Sequence, residues 1–434
     1  MDWAAMTMRS KFDCIVVGGG PAGLAAAAAL AAKGIDVAVA ASDGAPSASS
    51  QVQSGSPPAD PRTAALFPPA IVMLQRLGAW DLLASQCAPL AGIRIVDATG
   101  RLLRAPEVTF LASDIGLPDL GFNVPNAALT RSLFTAATSL GVTMLPDGKV
   151  LATHMEAGMR CVMLSGDRNI QAPLVVAADG RGSMVRDAAG ITTSSWTYDQ
   201  SALATQFAHS RPHAGISTEM HGPEGPCTTV PLAERVSSLV WMDRPDAIER
   251  LAAEPTEQFL LHLGQRLGGL LGTLSQPGAR RVFPLTGLVA QTMGLARVAL
   301  VGESGHAMPP IGAQGLNLAL SDVAVLADLV AEQSARGGDS GSNELLARYD
   351  TARNADVHRR VNAVDLLNRS VRPNFWPLGL ARGAGLHVLA AMPSLRRRLI
   401  REGLFPPPPI PTLMVPPAEA RAVADHTRSP GAIE

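Results

Sequence analysis

The sequence predicts an α/β fold: a sheet domain assembled from distant pieces of chain, an inserted mainly β-sheet domain, and C-terminal helices. Three separated segments carry that prediction. The first is Gly18-Gly19-Gly20-Pro21-Ala22-Gly23, directly after the apolar run Cys14-Ile15-Val16-Val17. The second is Ala178-Asp179-Gly180-Arg181-Gly182-Ser183. The third runs from Leu300-Val301-Gly302-Glu303-Ser304-Gly305-His306 through Pro309-Pro310 to Gly312-Ala313-Gln314-Gly315-Leu316-Asn317. A lone glycine fingerprint signals only a dinucleotide. Three such segments in this order point to one Rossmann-like nucleotide domain.

The elements follow in chain order. Asp13 to Val17 reads as a buried parallel strand, Pro21 to Lys33 as the next helix, and Gly34 as its stop. Asp36 to Ala41 is the second strand of the βαβ unit, and Ser42 to Pro61 is a long Ser/Gly/Pro loop. Helical spacing is expected over Ala64 to Leu83, interrupted near Pro68-Pro69, and again over Asn126 to Leu140, closed by Gly141. Val150 to Leu164 and Leu174 to Ala178 read as strands. From Ser201 to Pro284 short β-like stretches such as Ser237 to Met242 surround a helical piece, Pro255 to Leu271. Arg297 to Val301 is a strand, Leu316 to Glu332 a long apolar helix, and Glu344 to Arg369 a more charged one. Beyond Phe405 the chain is Pro-rich.

Composition narrows the function classes. The 434 residues are 47% apolar and only 17% charged, with a net charge of −1. This is a globular chain with a large core, and it lacks the basic footprint of a nucleic-acid partner. Cys14, Cys87, Cys161 and Cys227 lie far apart without a CxxC pair, so no zinc site or disulfide framework is expected, and a reducing compartment is. Met1 to Ser10 does not read as a secretory signal. No apolar stretch approaches the roughly 20 residues that span a bilayer.

The first segment has a clear physical logic. Gly18 allows the tight strand-to-helix turn, Gly20 lets backbone approach a pyrophosphate, and Gly23 lets the helix pack on the strand. Pro21 and Ala22 open the helix, whose free N–H groups and partial positive charge suit that pyrophosphate. The acidic residue that normally holds the adenosine ribose is missing: Ala41 stands there, followed by Ser42 and Asp43. Either Asp43 reaches the ribose from the next turn or the contact is absent.

The second and third segments resemble the FAD-dependent aromatic hydroxylases of the p-hydroxybenzoate hydroxylase superfamily, and within it the ubiquinone-biosynthesis hydroxylases. Asp60-Pro61-Arg62-Thr63-Ala64-Ala65-Leu66 is similar to their Asp-x-Arg-x-x-Ala-Leu motif, Leu174 to Arg186 to the Asp-Gly motif, and Gly302 to Asp322 to the Gly-Asp motif with its helix. Phe207 to Trp241, with Gly225-Pro226 and Val230-Pro231-Leu232, has the family's cadence.

The resemblance implies a domain plan and a set of contacts. Residues 1–75, 100–190 and 285–345 would form the FAD-binding domain, 76–99 and 191–284 the substrate domain, and 346–434 C-terminal helices and a Pro-rich tail. Arg62 and Arg131 would lie near the FAD phosphates or ribityl chain, Asp179 would organise the interior, and Glu303, after Gly302, would hold a ribityl hydroxyl. Pro309, Gln314, Gly315, Leu316 and Asn317 would line the flavin ring. The family normally has Asp at position 303 and small apolar residues at 304 and 305, so Glu303, Ser304 and Gly305 are departures. No catalytic residue is assigned, and no metal is expected. Arg62 and Arg131 also suit a plain surface, Asp179 a turn, and His209, His213 and His306 structural roles.

The implied activity is hydroxylation of an aromatic ring: NAD(P)H docks transiently and reduces FAD, O₂ adds, and a C4a-hydroperoxyflavin transfers OH. The implied substrate is a polyprenylated phenol or quinol on the route to ubiquinone, and the implied location is cytoplasmic. Phe375 to Leu404, mixing apolar residues with Arg382, Arg396, Arg397, Arg398 and Arg401, reads either as a peripheral membrane-surface segment or as a helical cap. Two rival readings stand beside this one: a flavin-dependent prenyl-lipid reductase, and a flavin-weakened homologue serving as a scaffold in a biosynthetic complex. The halogenase Trp-x-Trp-x-Ile-Pro signature is absent.

Overall fold

The structure, a computed structural model, describes residues 10–41, 60–99, 106–145, 148–371, 385, 387–388 and 391–417. Asp43, almost all of the 42–61 loop and much of the 375–404 segment lie outside the described residues.

In chain order the helices are α1 (Pro21–Ala31), α2 (Pro68–Arg76), α3 (Asn126–Ser139), α4 (Met184–Ala188) and α5 (Pro245–Ala253). They continue with α6 (Thr256–Arg266), α7 (Gln314–Ala335), α8 (Asn343–Val371) and α9 (Pro393–Leu404).

A six-stranded sheet carries the nucleotide half. Its order is Gly294–Leu295, Val298–Leu300, Leu174–Ala177, Cys14–Val17, Val37–Ala40, Thr143–Leu145. All but the first pairing are parallel. Such a sheet is covered on both faces, which is why Cys14 to Val17 and Leu174 to Ala177 are apolar without alternation and fully buried. The sheet places the ends of three strands side by side. Val17, Ala177 and Leu300 therefore deliver the three glycine-bearing segments to one edge.

The second large sheet has nine strands among the described residues and is mainly antiparallel. Its spine is the long strand Thr193–His209, paired with Arg281–Ala290 on one side and Val236–Asp243 on the other. Leu203, Phe207 and Trp241 face α5 and α6, where they pack with Ile248, Phe259 and Leu263. The alternating residues Ala202, Ala204 and Val240 face the opposite way, toward a chamber described below. His306–Ala307 joins this sheet by pairing with Leu288 and Val289, so the third segment links both sheets.

Two local expectations are corrected. Ala64 to Leu83 is not one interrupted helix: Thr63–Leu66 is a strand paired antiparallel with Phe122–Pro125, and α2 begins at Pro68. Two prolines without N–H groups fit a first turn but not a helix interior, so the helix can only start there. Val150 to Leu164 is a hairpin, Val150–Glu156 against Met159–Leu164, because Ala157 and Gly158 take positive φ at its tip.

The helix α7 is long and apolar enough to cross a membrane. Here it is a core element, packed against α1, α8 and the Gly302–Ser304 turn.

Candidate cofactor and substrate site

The glycine turn is shaped by close approach. A Cβ on Gly18, at φ +123°, would stand 2.2 Å from the Ala178 carbonyl oxygen, and one on Gly23 would stand 2.0 Å from that of Gly18. Only glycine permits these contacts. Around Gly20 a Cβ would meet nothing within 4 Å, so this is open cradle rather than packed turn. No side chain caps α1, leaving its first N–H groups to face that cradle. The cavity here, about 770 Å³, is lined by Gly18, Gly19, Gly20, Ala41, Lys149 and Asp179 among others.

The second and third segments are sewn together by hydrogen bonds. Asp179 accepts from the Ser183 hydroxyl at 2.5 Å and the Val185 N–H at 3.4 Å, and burial raises its pKa above the ordinary carboxyl value. Arg186 donates to the carbonyls of Arg181 (3.0 Å) and Ser304 (3.1 Å). The unexpected Ser304 is fully buried, and its hydroxyl donates to the Ala177 carbonyl at 2.6 Å. Gly302 takes φ +62° and donates its N–H to Asp322 at 3.1 Å.

A second cavity of about 310 Å³ continues from the first along Gly20, Pro21, Ala22, Gly302, Glu303, His306, Gly315 and Leu316. Its walls include His306, whose Nε2 lies 2.7 Å from Asp322 while Nδ1 is buried without a protein partner. The Oδ1 atom of Asn126, also on this wall, is buried and unpartnered too. An apolar-walled groove that ends in unfilled glycine positions and orphaned polar atoms fits an extended dinucleotide such as FAD.

A third cavity of about 170 Å³ adjoins it, sharing Arg62, Asn126, Glu303, Ala307 and Met308. Ala202, Ala204, Leu239, Val240, Phe283 and Leu285 give it an apolar lining. Its charged groups are held in pairs. Arg62 donates to Asp60 at 2.8 Å and lies 4.9 Å over the Phe283 ring. Arg181 donates to Glu303 at 3.1 Å and to the Thr286 hydroxyl at 3.0 Å.

The remaining expected residues fall in different places. Arg131 is exposed on α3 and lines none of these cavities, whereas its neighbour Thr130 lines the first. Gln314 turns its amide to the Gly403 carbonyl (3.4 Å) and to Arg360. Asn317 bonds the Phe67 N–H and the carbonyls of Ala65 and Ala313, fixing the entry to α2. Pro309 is buried, and Pro310 lines the third cavity.

Lys149, Asn126 and the cavity-facing residues of the second sheet are not marked by the sequence, since nothing local shows which strand face meets a cavity, and Arg181 is marked only as part of the second motif. Fold also gathers His154, Glu156 and Cys161 within 4.8 Å on the hairpin. Burial pushes the Cys161 thiol up, away from the thiolate a metal needs.

Comparison with known proteins agrees with this geometry. The family model described as "FAD binding domain" matches residues 11–364. The ubiquinone hydroxylase UbiL of Rhodospirillum rubrum is 33% identical over 90% of this chain and 89% of its own. The 3-demethoxyubiquinol 3-hydroxylase of Escherichia coli is 30% identical over 80% of this chain and 87% of its own. Among solved structures, p-nitrophenol 4-monooxygenase PnpA from Pseudomonas putida shares the fold, with a TM-score of 0.71 at 20% identity over 91% of this chain and 97% of that one.

Proposed function

The chain belongs to the FAD-binding family of monooxygenases that includes the ubiquinone hydroxylases, and on that premise we propose that it hydroxylates the ring of a polyprenylated phenol in ubiquinone biosynthesis. The observation that carries this reading is the shared wall: the cavity suited to a flavin opens directly onto an apolar chamber. When bound, FAD supplies hydride acceptance from NAD(P)H and activation of O₂.

The protein's residues supply the rest. Gly20, Pro21, Ala22 and the α1 N-terminus would hold the pyrophosphate, on a turn that Gly18 and Gly23 keep tight, with Ala41 and Lys149 toward the ribose end. Gly302 and Glu303 line the next stretch of the groove and would border the ribityl chain. The start of α7 at Gly315 and Leu316 lines the same cavity and would offer N–H groups and a partial positive charge to the ring. Ala202, Ala204, Val240 and Phe283 orient the substrate ring and exclude water. Asp179 braces the second segment through the Ser183 hydroxyl and the Val185 N–H.

An apolar substrate calls for access to lipid, and α9 supports a peripheral position on an anionic membrane surface. It exposes Arg397, Arg398, Leu399 and Arg401 while Ile400 and Leu404 anchor it to the body. Liposome co-sedimentation with these three arginines changed to Ser tests that position; undiminished binding excludes it.

The deciding experiment is the visible spectrum of the purified protein with FAD, followed by turnover under labelled O₂ with a prenylated phenol. Bound flavin, reduction by NAD(P)H and label in the product are expected. NAD(P)H consumption without label would favour the reductase. A protein that ignores FAD would favour the scaffold.

A further inference from the structure

One face of α8 carries an unusual buried polar stripe. Tyr349, Arg353, Asp356 and Arg360 recur at helical spacing and therefore share a face. Tyr349 and Arg353 are 0% and 1% exposed, and Asp356 is 5%. Tyr349, Arg353 and Arg360 touch successive points on the chain that builds the flavin-facing wall. The Tyr349 hydroxyl donates to the Leu300 carbonyl at 2.7 Å, where the strand ends. Arg353 Nε donates to Asp322 Oδ1 at 2.8 Å, and the other oxygen of that carboxylate accepts from Gly302 N–H and meets His306. Arg360 donates to the Gln314 side-chain oxygen at the start of α7, and to the carbonyls of Gly403 and Phe405. Asp356 lies between the two arginines and binds both.

These contacts act from behind the cavity wall, and none of the four stripe residues lines the 310 Å³ cavity. We infer that Arg353 and Arg360 are positioning residues for the flavin: through Asp322 and Gln314 they fix the Gly302 turn and the first turn of α7 at the ring. The inference rests on the flavin reading above. Its physical basis is that a helix N-terminus stabilises nearby negative charge only within its first turn, so a displaced start weakens the effect on a reduced, anionic ring. Two coupled arginines on one rigid helix hold both points in register. Asp356 keeps Arg353 and Arg359 as partners when Arg360 is lost, so Arg360 can be changed without stranding a buried carboxylate.

The test compares Arg360→Met, which keeps the apolar stem and removes every donor, with Arg360→Lys and the wild type. Each is loaded with FAD, and the reduced-to-oxidised flavin ratio is read at a fixed reducing poise, alongside FAD affinity and apo-protein melting. For Arg360→Met the ratio is expected to fall roughly three- to tenfold, the scale of a helix-terminus charge effect. FAD should still bind with full stoichiometry and melting should stay near wild type, while Arg360→Lys recovers part of the ratio. A wild-type ratio in Arg360→Met overturns the inference. So does lower melting in Arg360→Met with no change in ratio, which assigns Arg360 a purely structural role. A wild-type protein that remains colourless with FAD overturns the flavin reading itself, and this inference with it.

Discussion

His306 Nε2 lies 2.7 Å from Asp322 Oδ2, with side-chain exposures of only 1% and 0%. The same carboxylate takes a hydrogen bond from Arg353 at 2.8 Å, so one buried anion is shared between an imidazole, a guanidinium and the Gly302 N–H. An ion in such a place is tolerated only when fully partnered.

The acid sensitivity of this anion follows from its surroundings. Burial alone would raise the Asp322 carboxyl, but the charges of His306 and Arg353 outweigh it and hold the group below its ordinary 3.8. A depressed carboxyl contributes stability above its unfolded value and loses it as pH falls through the folded one, so the loss lies below about pH 4. Asp322→Asn is expected to lower unfolding free energy at pH 7 by about 3–5 kcal/mol, since it leaves the buried Arg353 guanidinium without its anion. Its acid limb should also be flatter. Urea titrations at pH 7 and across the acid range check both, and wild-type stability would refute the role.

Gly18 and Gly20 separate folding from cofactor binding. At Gly18 the backbone is left-handed and a Cβ would stand 2.2 Å from a carbonyl oxygen, whereas at Gly20 it meets open space. Gly18→Ala should cost about 1–3 kcal/mol or more in stability. Gly20→Ala should melt with the wild type yet bind FAD at least tenfold more weakly, because its methyl occupies the pyrophosphate's approach. Thermal melts and flavin titration of both variants decide it; a Gly20→Ala protein with wild-type affinity would remove the pyrophosphate from this turn.

The sequence exposed the nucleotide half more fully than the substrate half, for a physical reason. Glycine turns and all-apolar parallel strands leave local marks, so Gly18, Gly20 and Gly302 could be placed at once. Chamber residues such as Ala204 and Val240 look like any alternating strand, and only the pairing of Thr193–His209 with Val236–Asp243 shows which face is open. The resemblance sets Gln314 beside the flavin ring together with Gly315 and Leu316, and of these three Gly315 and Leu316 border the cavity. On a helix, one residue along turns about 100° away, and its amide meets Gly403 instead. The strand Thr63–Leu66 was hidden because its partner, Phe122–Pro125, lies far along the chain.

Glu303 offers a direct test of its extra methylene. It reaches Arg181 at 3.1 Å, with side chains 59% and 40% exposed, and Arg181 in turn bonds Thr286 of the nine-stranded sheet. Shortening to Asp breaks this span but keeps the charge. An exposed pair of this kind contributes about 0–1 kcal/mol, so Glu303→Asp should melt within a few degrees of wild type. Substrate affinity should fall more than FAD affinity, because the pair borders the chamber. Parallel titrations with FAD and with a phenol measure the split, and a loss of FAD affinity with phenol affinity unchanged would place Glu303 on the cofactor alone.

Ala204 tests the chamber itself. It is 5% exposed yet lines the 170 Å³ cavity, so its methyl faces enclosed space rather than packed neighbours. Were it packed, enlarging it to Phe would force neighbouring side chains off their rotamers and cost about 1–3 kcal/mol. Facing the chamber, the ring instead occupies the space proposed for the substrate. Ala204→Phe is therefore expected to keep its FAD spectrum and lose less than about 1 kcal/mol of stability, while phenol binding weakens at least tenfold, roughly 1.4 kcal/mol. If Ala204→Phe bound the phenol as the wild type does, the substrate would have to lie elsewhere, and the shared wall between the two cavities would no longer argue for ring hydroxylation.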